Sequence, residues 1–331
     1  MSGPRIAFVT GANGFIGHHL VRHLGQAGWR VRGLVRTPMK AEERERFAGA
    51  ELVEGDLADA RALARGCQGA QAVVHCAAMV GVSDREAEMQ AVNVDGTLNV
   101  LEAAAAERVP RVIHLSTAGV LGPVRVAAAD EATPLHPSNA YARSKAEAER
   151  RAWALAARLD LPLAVVRPPL VYGRGDRRTL GLFEAVQRGW PMPWRTDVPI
   201  HPVHVDDFCR GLLACLDAFP RPVGRTYHLA GPAPVPMREF VGLIARAVGA
   251  RPPPHLPLGL FWGAATVADR VAAALRVDLP LTRRRLHVFA YANAFSIEQA
   301  VVDFGYAPRE ALDQGLVQAA EWYREHGLLP R

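Results

Sequence analysis

Apolar and polar positions follow two different rhythms over the first half of the chain. Residues 5–10 (RIAFVT) are a short apolar run that ends in a glycine turn. The stretch after it places Phe15, Leu20 and Leu24 on one side and stops at Gly28. A short apolar run predicts a buried strand, and apolar residues recurring every three or four positions predict a helix. The chain therefore opens with a strand, a tight turn and an amphipathic helix.

The same alternation continues to about residue 173. A polar helix is predicted after the third strand, and strict alternation of strand and helix is typical of βαβ units on a parallel sheet. We therefore predict an α/β fold of the doubly wound, Rossmann type. The further predicted strands cover 30–36, 50–57, 70–78, 111–120 and 162–173, and the two longest helices cover 93–109 and 139–159.

Proline becomes dense after residue 173, as in 190–202 (WPMPWRTDVPIHP) and 251–257 (RPPPHLP). Such segments favour irregular connections between short elements, which indicates a smaller C-terminal lobe. One helix is still predicted over 204–216 (HVDDFCRGLLACL), and it returns to the main sheet. The predicted division is a main domain over 1–172, joined by 202–230, and a smaller lobe over 173–201 and 231–331.

Charge changes this interpretation little. The formal net charge of +6 and the pI near 9.5 could indicate an anionic partner. However, the arginines are interspersed with acidic residues, as in 41–49 (AEERERFAG), and no basic block is interleaved with aromatic residues. We therefore expect no nucleic-acid partner.

The cysteines and the N-terminus indicate a cytoplasmic protein. Cys67, Cys76, Cys209 and Cys215 form no C-x-x-C pair, which indicates neither a disulfide framework nor a metal site. The N-terminus enters the first strand without a charged and then apolar leader.

The most apolar late segment covers 255–277. Asp269 and Arg270 interrupt it, and no uncharged run reaches the ~18 residues of a membrane span. We predict a helix that roofs a pocket, with no membrane span. Peripheral membrane contact stays open as an alternative, through Leu260, Phe261 and Trp262.

The first turn carries three glycines at 11, 14 and 17 (GANGFIG). Its position between a strand and a helix predicts a phosphate-binding turn for a dinucleotide. We therefore predict that the main domain binds the dinucleotide and that the C-terminal lobe mainly binds the substrate. Gly11 allows the tight turn, Gly14 lets the backbone approach a pyrophosphate, and Gly17 lets the helix pack closely on the strand. The helix N-terminus then presents unpaired N–H groups to the anion.

The end of the second strand bears on the choice of dinucleotide. NAD sites usually carry Asp or Glu there for the ribose 2′-hydroxyl, whereas this chain has Arg36. Arginine suits a 2′-phosphate, so we favour NADP(H), with NAD(H) as the alternative if Arg36 is only an exposed charge.

Tyr141 and Lys145 are four residues apart on a predicted helix and therefore share a face. A nearby ammonium lowers the pKa of a phenol, which suits a general acid or base. Only two of the chain's basic residues are lysines, and arginine is a poorer substitute for a compact point charge. Ser116 and Thr117 end a strand upstream and offer hydroxyls to a substrate oxygen.

These motifs resemble those of the extended short-chain dehydrogenases/reductases. That group contains nucleotide-sugar epimerases and dehydratases, 3β-hydroxysteroid dehydrogenases and dihydroflavonol reductases. The matching stretches run nearly from end to end: VTGANGFIG, GDL at 55–57, VVHCAA, NVDGTLNVLEAA, HLSTAGVLG, YARSK, RPPLVYGRGD, HVDDF and FGYAPR.

The resemblance implies a role for individual positions. Tyr141 would be the acid/base, Lys145 would also hold the nicotinamide ribose, and Thr117 would polarise the substrate oxygen with Ser116 beside it. It also implies a homodimer formed through helices near 93–108 and 140–158. The other implied cofactor contacts are Gly11, Asn13, Gly14, Phe15, Ile16 and Gly17 in the turn, Asp56 and Leu57 at the adenine, Ala77, Ala78, Asn93 behind the active site, and Pro168 after Arg167.

Two departures from the motifs of the resembled family narrow the predicted class of substrate. Sugar-nucleotide members usually carry Asn and Arg where this chain has Leu170 and Ile200. A diphosphate would lose its hydration next to these apolar side chains without gaining hydrogen bonds in return, which is unfavourable. An apolar substrate would have no such cost. The late aromatic residues Phe261, Trp262, Phe289, Tyr291 and Phe295 are candidate pocket residues.

We therefore predict an NAD(P)-dependent oxidoreductase that reduces a hydrophobic ketone or aldehyde, or oxidises the alcohol. The resemblance is strongest to the hydroxysteroid dehydrogenase and dihydroflavonol reductase branch. One alternative is a nucleotide-sugar epimerase or dehydratase with tightly bound NAD. Another is a dinucleotide-binding regulator without catalysis.

Overall fold

The computed structural model describes most of the chain. The described residues are 5–36, 47, 49–81, 85–124, 126–194, 198–275, 286, 289–291 and 293–330, without the side chains of 272–275.

A seven-stranded sheet with parallel pairing throughout forms the centre of the molecule, in the order β11-β6-β5-β4-β1-β2-β3. The predicted α/β fold with a parallel sheet is confirmed. The strand order reverses between β1 and β4, which is where ligands bind in open sheets of this kind. The strands are β1 (Ile6–Thr10), β2 (Arg30–Val35), β3 (Glu51–Glu54), β4 (Ala72–His75), β5 (Val112–Leu115), β6 (Leu163–Arg167), β7 (Val171–Tyr172), β8 (Met192–Trp194), β9 (Pro199–Ile200), β10 (Val203–His204), β11 (Thr226–His228), β12 (Val235–Pro236) and β13 (His255–Pro257).

The strand predicted over 162–173 is two strands in the structure. β6 ends at Arg167, and β7 pairs with β10 in a separate two-stranded ladder. Pro168 and Pro169 lie at the break. Proline has no N–H to donate to a ladder, so the chain leaves the main sheet there. The prediction of a single strand was wrong at this point.

Helices cover both faces of the sheet. The helix predicted over 93–109 starts earlier and contains a π-helical segment, Gln90–Asp95, and a 3-10 turn covers Ala118–Leu121. The α-helices are α1 (Phe15–Gln26), α2 (Ala60–Cys67), α3 (Glu86–Met89), α4 (Gly96–Ala106), α5 (Ala140–Leu159), α6 (Leu180–Gln187), α7 (Val205–Asp217), α8 (Met237–Val248), α9 (Leu258–Leu275), α10 (Glu298–Phe304) and α11 (Leu312–Glu325).

Two apolar layers hold the helices on the sheet. On one face, α1 and α7 pack against alternate strand residues, through side chains such as Leu20 and Phe208. On the other face, α2, α4 and α5 pack against the remaining strand residues, through Leu63, Leu101 and Leu155. Every residue of β4 and β5 is buried, as expected for parallel strands covered on both faces.

A third core organises the C-terminal part of the chain. α6, α8 and α11 pack together around Phe183, Phe240 and Tyr323. The segment between β10 and β11 returns to the main sheet, because β11 pairs with β6. The division into two domains remains a prediction.

α9 covers most of the segment 255–277, and residues 276–277 lie outside the described residues. Among the helices of the described ranges, none is both long enough and apolar enough to cross a membrane.

Candidate active site

The turn between β1 and α1 has the geometry that its three glycines predict. Gly11 has a φ of +67°, and a Cβ there would lie 2.8 Å from the backbone of Ala77. A Cβ on Gly17 would lie 2.0 Å from the carbonyl oxygen of Gly11. Any larger residue at either position would push the helix away from the strands. The turn therefore lies directly against the end of β4.

The N-terminus of α1 is available to a ligand. Gly14 is the N-cap residue, and no side chain caps the helix. Asn13 and Gly14 are exposed, and Phe15 and Ile16 are half-buried. An uncapped first turn leaves backbone N–H groups and the positive end of the helix dipole facing outward, which suits a phosphate.

The residues predicted to contact the adenosine half lie at neighbouring strand ends. Arg36 is exposed directly after β2. The Asp56 carboxylate accepts hydrogen bonds from the backbone N–H groups of Ala58 (2.8 Å) and Asp59 (3.1 Å), so it shapes its own loop. Leu57 is buried against α4.

Tyr141 lies in the first turn of α5. The Asn139 side chain caps this helix by accepting a hydrogen bond from the N–H of Ala142 at 2.8 Å. The tyrosine is half-buried, and burial raises its pKa, while the charge of Arg178 acts in the opposite direction. The structure does not give the expected lowering of this pKa by Lys145: the loss of hydration dominates, and the opposing charge is that of Arg178.

Lys145 is one helical turn further along α5 and only 1% exposed. Its Nζ has no hydrogen-bond partner among the residues that the structure describes. Burial lowers its pKa to about 8, against the opposing effect of the Glu149 carboxylate. A buried ammonium without a partner is unfavourable, so this group is prepared for a ligand that supplies acceptors.

The two predicted hydroxyls differ in their surroundings. Thr117 is half-buried, and its Oγ1 accepts a hydrogen bond from the N–H of Gly119 at 3.1 Å. Among the described residues the Thr117 hydroxyl donates no hydrogen bond, so its proton is available to a substrate oxygen. Ser116 is buried, and its Oγ has no hydrogen-bond partner in the described part of the chain.

Asn93 lies in the π-helical segment and connects two predicted site regions. Its side chain accepts from the N–H of Met79 (2.7 Å), donates to the carbonyl of Met79 (3.0 Å), and donates to Ser144 Oγ (2.9 Å). The Ser144 hydroxyl in turn donates to the carbonyl of Tyr141 at 2.8 Å. The sequence did not indicate a role for Ser144, because its hydrogen bond with Asn93 joins residues that are far apart in the chain.

A buried ion pair lies beside the predicted catalytic pair. Arg167 donates to both carboxylate oxygens of Glu149, at 2.6 to 3.2 Å, and both side chains are almost fully buried. Burial and the Arg167 charge together hold the pKa of His228 at about 4. Sequence reasoning missed this pair, although Glu149 continues the four-residue spacing of Tyr141 and Lys145.

Two histidines lie near the Lys145 ammonium. His75 and His114 stack with their ring centroids 5.3 Å apart, and both are fully buried. Burial, helped by the Lys145 charge, lowers the pKa of His75 to about 3 and that of His114 well below its usual value. Both rings are therefore neutral at physiological pH.

The other cofactor positions surround this group. Ala77 and Ala78 are half-buried after β4, and the N–H of Ala77 donates to Thr10 Oγ1 at 3.3 Å. Pro168 is buried, and its carbonyl accepts from the N–H of Ala118 at 2.9 Å. The ends of β1, β4, β5 and β6 therefore bring the predicted residues together.

Leu170 and Ile200 belong to one apolar cluster in the C-terminal part, with Ile200 3% exposed. Of the candidate pocket aromatics, Phe295 packs instead near Ala118. The other four gather around Leu258 and Ala265. A cavity of about 480 Å³ lies there, lined by Trp194, Pro257, Leu258, Gly259, Trp262, Ala290 and Tyr291.

The residues present fit a nicotinamide dinucleotide. The uncapped α1 turn suits its diphosphate, and the unpartnered Nζ of Lys145 suits a hydroxyl-bearing ribose. Both features lie at the carboxyl edge of the sheet, on either side of the reversal in strand order.

Comparison with known proteins agrees with this assignment. Residues 7–230 match the model of the NAD dependent epimerase/dehydratase family. The chain is 31% identical to a 4-hydroxy-2-methyl-3-oxo-4-farnesyl-3,4-dihydroquinoline-1-oxide ketoreductase of Stigmatella aurantiaca, over 93% of this chain and 94% of the relative. It is 29% identical to a 2-alkyl-3-oxoalkanoate reductase of Stenotrophomonas maltophilia, over 93% and 96%.

Solved structures agree as well. The dTDP-glucose 4,6-dehydratase of Streptomyces venezuelae, solved with NAD bound, superposes with a TM-score of 0.76 and 26% identity, over 97% of this chain and 98% of that one. The family match covers more than half of the sequence and includes every element that carries the predicted catalytic residues. The chain therefore belongs to the NAD dependent epimerase/dehydratase family, the extended short-chain dehydrogenases/reductases, and is an NAD(P)-dependent oxidoreductase.

Proposed function

We propose that the chain reduces the carbonyl of a small, largely hydrophobic ketone or aldehyde, or oxidises the corresponding alcohol. The observation that carries this proposal is a half-buried Tyr141 one helical turn before a buried Lys145, whose Nζ has no hydrogen-bond partner within the described ranges. A general acid and a fixed positive charge on one helix face are the parts that carbonyl reduction requires.

In this proposal each side chain has one task. The chemistry that the nicotinamide cofactor supplies when bound is hydride transfer to or from the substrate carbon. Thr117 donates its free hydroxyl proton in a hydrogen bond to the carbonyl oxygen. Tyr141 donates its phenolic proton to that oxygen as the carbonyl becomes an alcohol. Lys145 holds positive charge beside the phenol and stabilises the phenolate that remains.

The raised pKa of Tyr141 favours the reductive direction. The phenol stays protonated at neutral pH, which is the form that can donate a proton. Oxidation of an alcohol needs the phenolate, so we expect the oxidation rate to increase with pH until the Lys145 charge is lost.

The proposed substrate class rests on apolar residues and on the relatives. Leu170 and Ile200 occupy positions where sugar-nucleotide members usually carry polar side chains, and both lie in an apolar cluster. One relative is a ketoreductase whose named substrate is a dihydroquinoline oxide that carries a farnesyl group, and another is a 2-alkyl-3-oxoalkanoate reductase. Both names describe ketones with hydrocarbon chains.

The test is carbonyl-dependent oxidation of NADPH, followed by absorbance, over a panel of ketones of increasing chain length. We expect Tyr141→Phe to lose at least about 100-fold in turnover while binding NADPH with unchanged affinity, because only the proton donor is removed. Wild-type turnover in this variant would overturn the mechanism.

We also propose a preference for NADP(H), from Arg36. It is exposed after β2, where a guanidinium can pair with a 2′-phosphate. Arg36→Asp should weaken NADPH binding about 10-fold or more and leave NADH binding unchanged or stronger, as measured by fluorescence titration. Equal effects on both cofactors would contradict the preference.

Two alternative functions would give different experimental results. The likeness to a dTDP-glucose 4,6-dehydratase with NAD bound keeps a sugar-nucleotide epimerase or dehydratase as the second candidate. NAD that co-purifies with the protein, together with turnover of a nucleotide sugar, would favour it. Cofactor binding without turnover on any panel, together with a protein partner, would favour a regulator.

We further propose a homodimer through α4 and α5, with the cytoplasm as its location. Leu98 and Trp153 on these helices are only half-buried, which leaves apolar surface for a second copy. All four cysteines are free thiols, which is typical of a reducing compartment. Light scattering should give twice the chain mass, and Trp153→Glu should give monomers.

Peripheral contact with a membrane remains an alternative for α9. Leu260 and Val267 lie seven residues apart on one face and are 63% and 60% exposed. Sedimentation with anionic vesicles tests it, with Leu260→Glu as the variant that should abolish binding.

A further inference from the structure

The loop between β7 and α6 is held by a buried carboxylate. Asp176 is fully buried, and its Oδ1 accepts from the backbone N–H of Arg178 at 3.0 Å. Its Oδ2 accepts from the Thr179 hydroxyl at 2.8 Å, and its carbonyl accepts from the Tyr323 hydroxyl. These bonds link the loop to the core of the C-terminal part, so the residues around Asp176 have a fixed position.

Arg178 is fixed by the same network, but its end faces outward. Its Nε donates to Asp176 Oδ1 at 3.2 Å, and its Nη2 donates to the carbonyl of Val171 at 3.2 Å. The side chain is 48% exposed. A guanidinium has five N–H groups, so this anchoring leaves several of them free for a ligand.

The guanidinium lies beside the first turn of α1, and its charge reaches the proposed acid. Its central carbon is 5.8 Å from the ring centroid of Phe15, the first residue of α1. The loop is tied to the same helix by a hydrogen bond between the His19 ring and the carbonyl of Arg174 (2.8 Å). Arg178 is also the charge that acts on the pKa of Tyr141.

A preorganised arginine with free N–H groups, next to an uncapped helix N-terminus, is suited to carboxylate or phosphate oxygens. We propose that Arg178 binds an anionic group at the mouth of the active site, between the phosphate turn and Tyr141. The group belongs either to the dinucleotide diphosphate or to an acid group carried by the substrate. The placement beside the reacting carbonyl rests on the proposed function.

The test uses three variants of the full chain. Arg178→Gln removes the charge, and Arg178→Lys keeps the charge but loses the fork. Arg177→Gln is the matched control, because Arg177 is the neighbouring exposed arginine of the same loop. Thermal denaturation of all three checks that Asp176 still holds the loop.

The first arm measures binding of NADPH, NADH and ADP-ribose without substrate. If the anion is the diphosphate, Arg178→Gln weakens all three about 10-fold, Arg178→Lys has a smaller effect, and Arg177→Gln has none. The second arm measures KM for paired substrates, such as 2-octanone and 3-oxooctanoate. If the anion belongs to the substrate, only the KM for the acid increases, again about 10-fold.

Either result supports the site and identifies its ligand. The proposal is overturned if Arg178→Gln matches Arg177→Gln in both arms. Failure of the proposed function looks different: the wild-type protein would then turn over no ketone at all, while the binding arm would still report on the diphosphate.

Discussion

Lys145 and Arg167 are both buried cations near the edge of the central sheet, and they differ in one respect. Arg167 forms hydrogen bonds with both oxygens of Glu149, and only its Nη1 is left without a partner among the described residues. The Lys145 Nζ, by contrast, has no hydrogen-bond partner at all among these residues. Lys145 and Glu149 are one helical turn apart on α5. The charge of a buried cation in an ion pair is balanced within the protein, while an unpaired buried charge reduces stability until a ligand supplies acceptors. The difference separates a structural cation from a functional one.

The sharpest test of this comparison replaces Lys145 with Met. We expect carbonyl reduction to fall about 1,000-fold, because the fixed charge next to the acid is lost. The free energy of unfolding should be at least that of the wild type, because an unpaired buried charge has been removed. Turnover and urea denaturation measure the two effects. Lys145→Arg should recover little activity, and full recovery would contradict the need for a compact charge.

The next test removes the partner from the paired cation. Glu149→Gln should lower the free energy of unfolding by about 3 kcal/mol, because Arg167 is left buried without its counter-charge. The control is Glu147→Gln, which breaks an exposed pair with Arg150 and should change stability by less than about 1 kcal/mol. Equal losses in the two variants would mean that the buried pair has no special structural role.

The pH dependence of activity links the two cations. The Lys145 pKa is lowered to about 8, and the ammonium is the form that the reaction needs. Reductive turnover should therefore decrease as the pH rises through about 8.

Glu149→Gln should move this decrease to lower pH, because the Glu149 carboxylate raises the Lys145 pKa. The groups around Lys145 that could interfere are His75, His114 and Cys76. Both histidines are already neutral, and burial raises the pKa of Cys76 to about 12. If the pH profile of turnover did not change in Glu149→Gln, the Glu149 carboxylate would have no effect on the Lys145 pKa.

The smallest effect is expected at Ser144. Its hydroxyl bridges Asn93 and the carbonyl of Tyr141. Ser144→Ala should lower the free energy of unfolding by about 1 kcal/mol and turnover only a few-fold, since it positions Tyr141 through the backbone. A loss as large as that of Tyr141→Phe would give Ser144 a direct role.

The sequence alone predicted those features that depend on residues close together in the chain. The glycine turn, the position of Lys145 one turn after Tyr141, and the alternation of strand and helix are of this kind. The Glu149–Arg167 pair and the Arg178 loop depend on partners from other elements, so a single sequence does not show them.

The burial of Tyr141, and with it the direction of its pKa shift, could not be predicted from the sequence either. Spacing identified its charged neighbour, but the pKa depends on burial, which tertiary packing determines. The break of the predicted strand at Pro168 was visible in the residue types, yet the apolar run concealed it.

The π-helical segment has a consequence for helical phase. A π turn holds one more residue than an α turn, and each residue advances an α-helix by about 100°. The segment therefore lets Asn93 point toward Met79 and Ser144 while Gly96, three residues later, faces Leu57. A Cβ on Gly96 would lie 2.8 Å from Leu57 Cδ1. Deleting one residue there would bring one of these two faces out of alignment, so the length of this segment is as constrained as its composition.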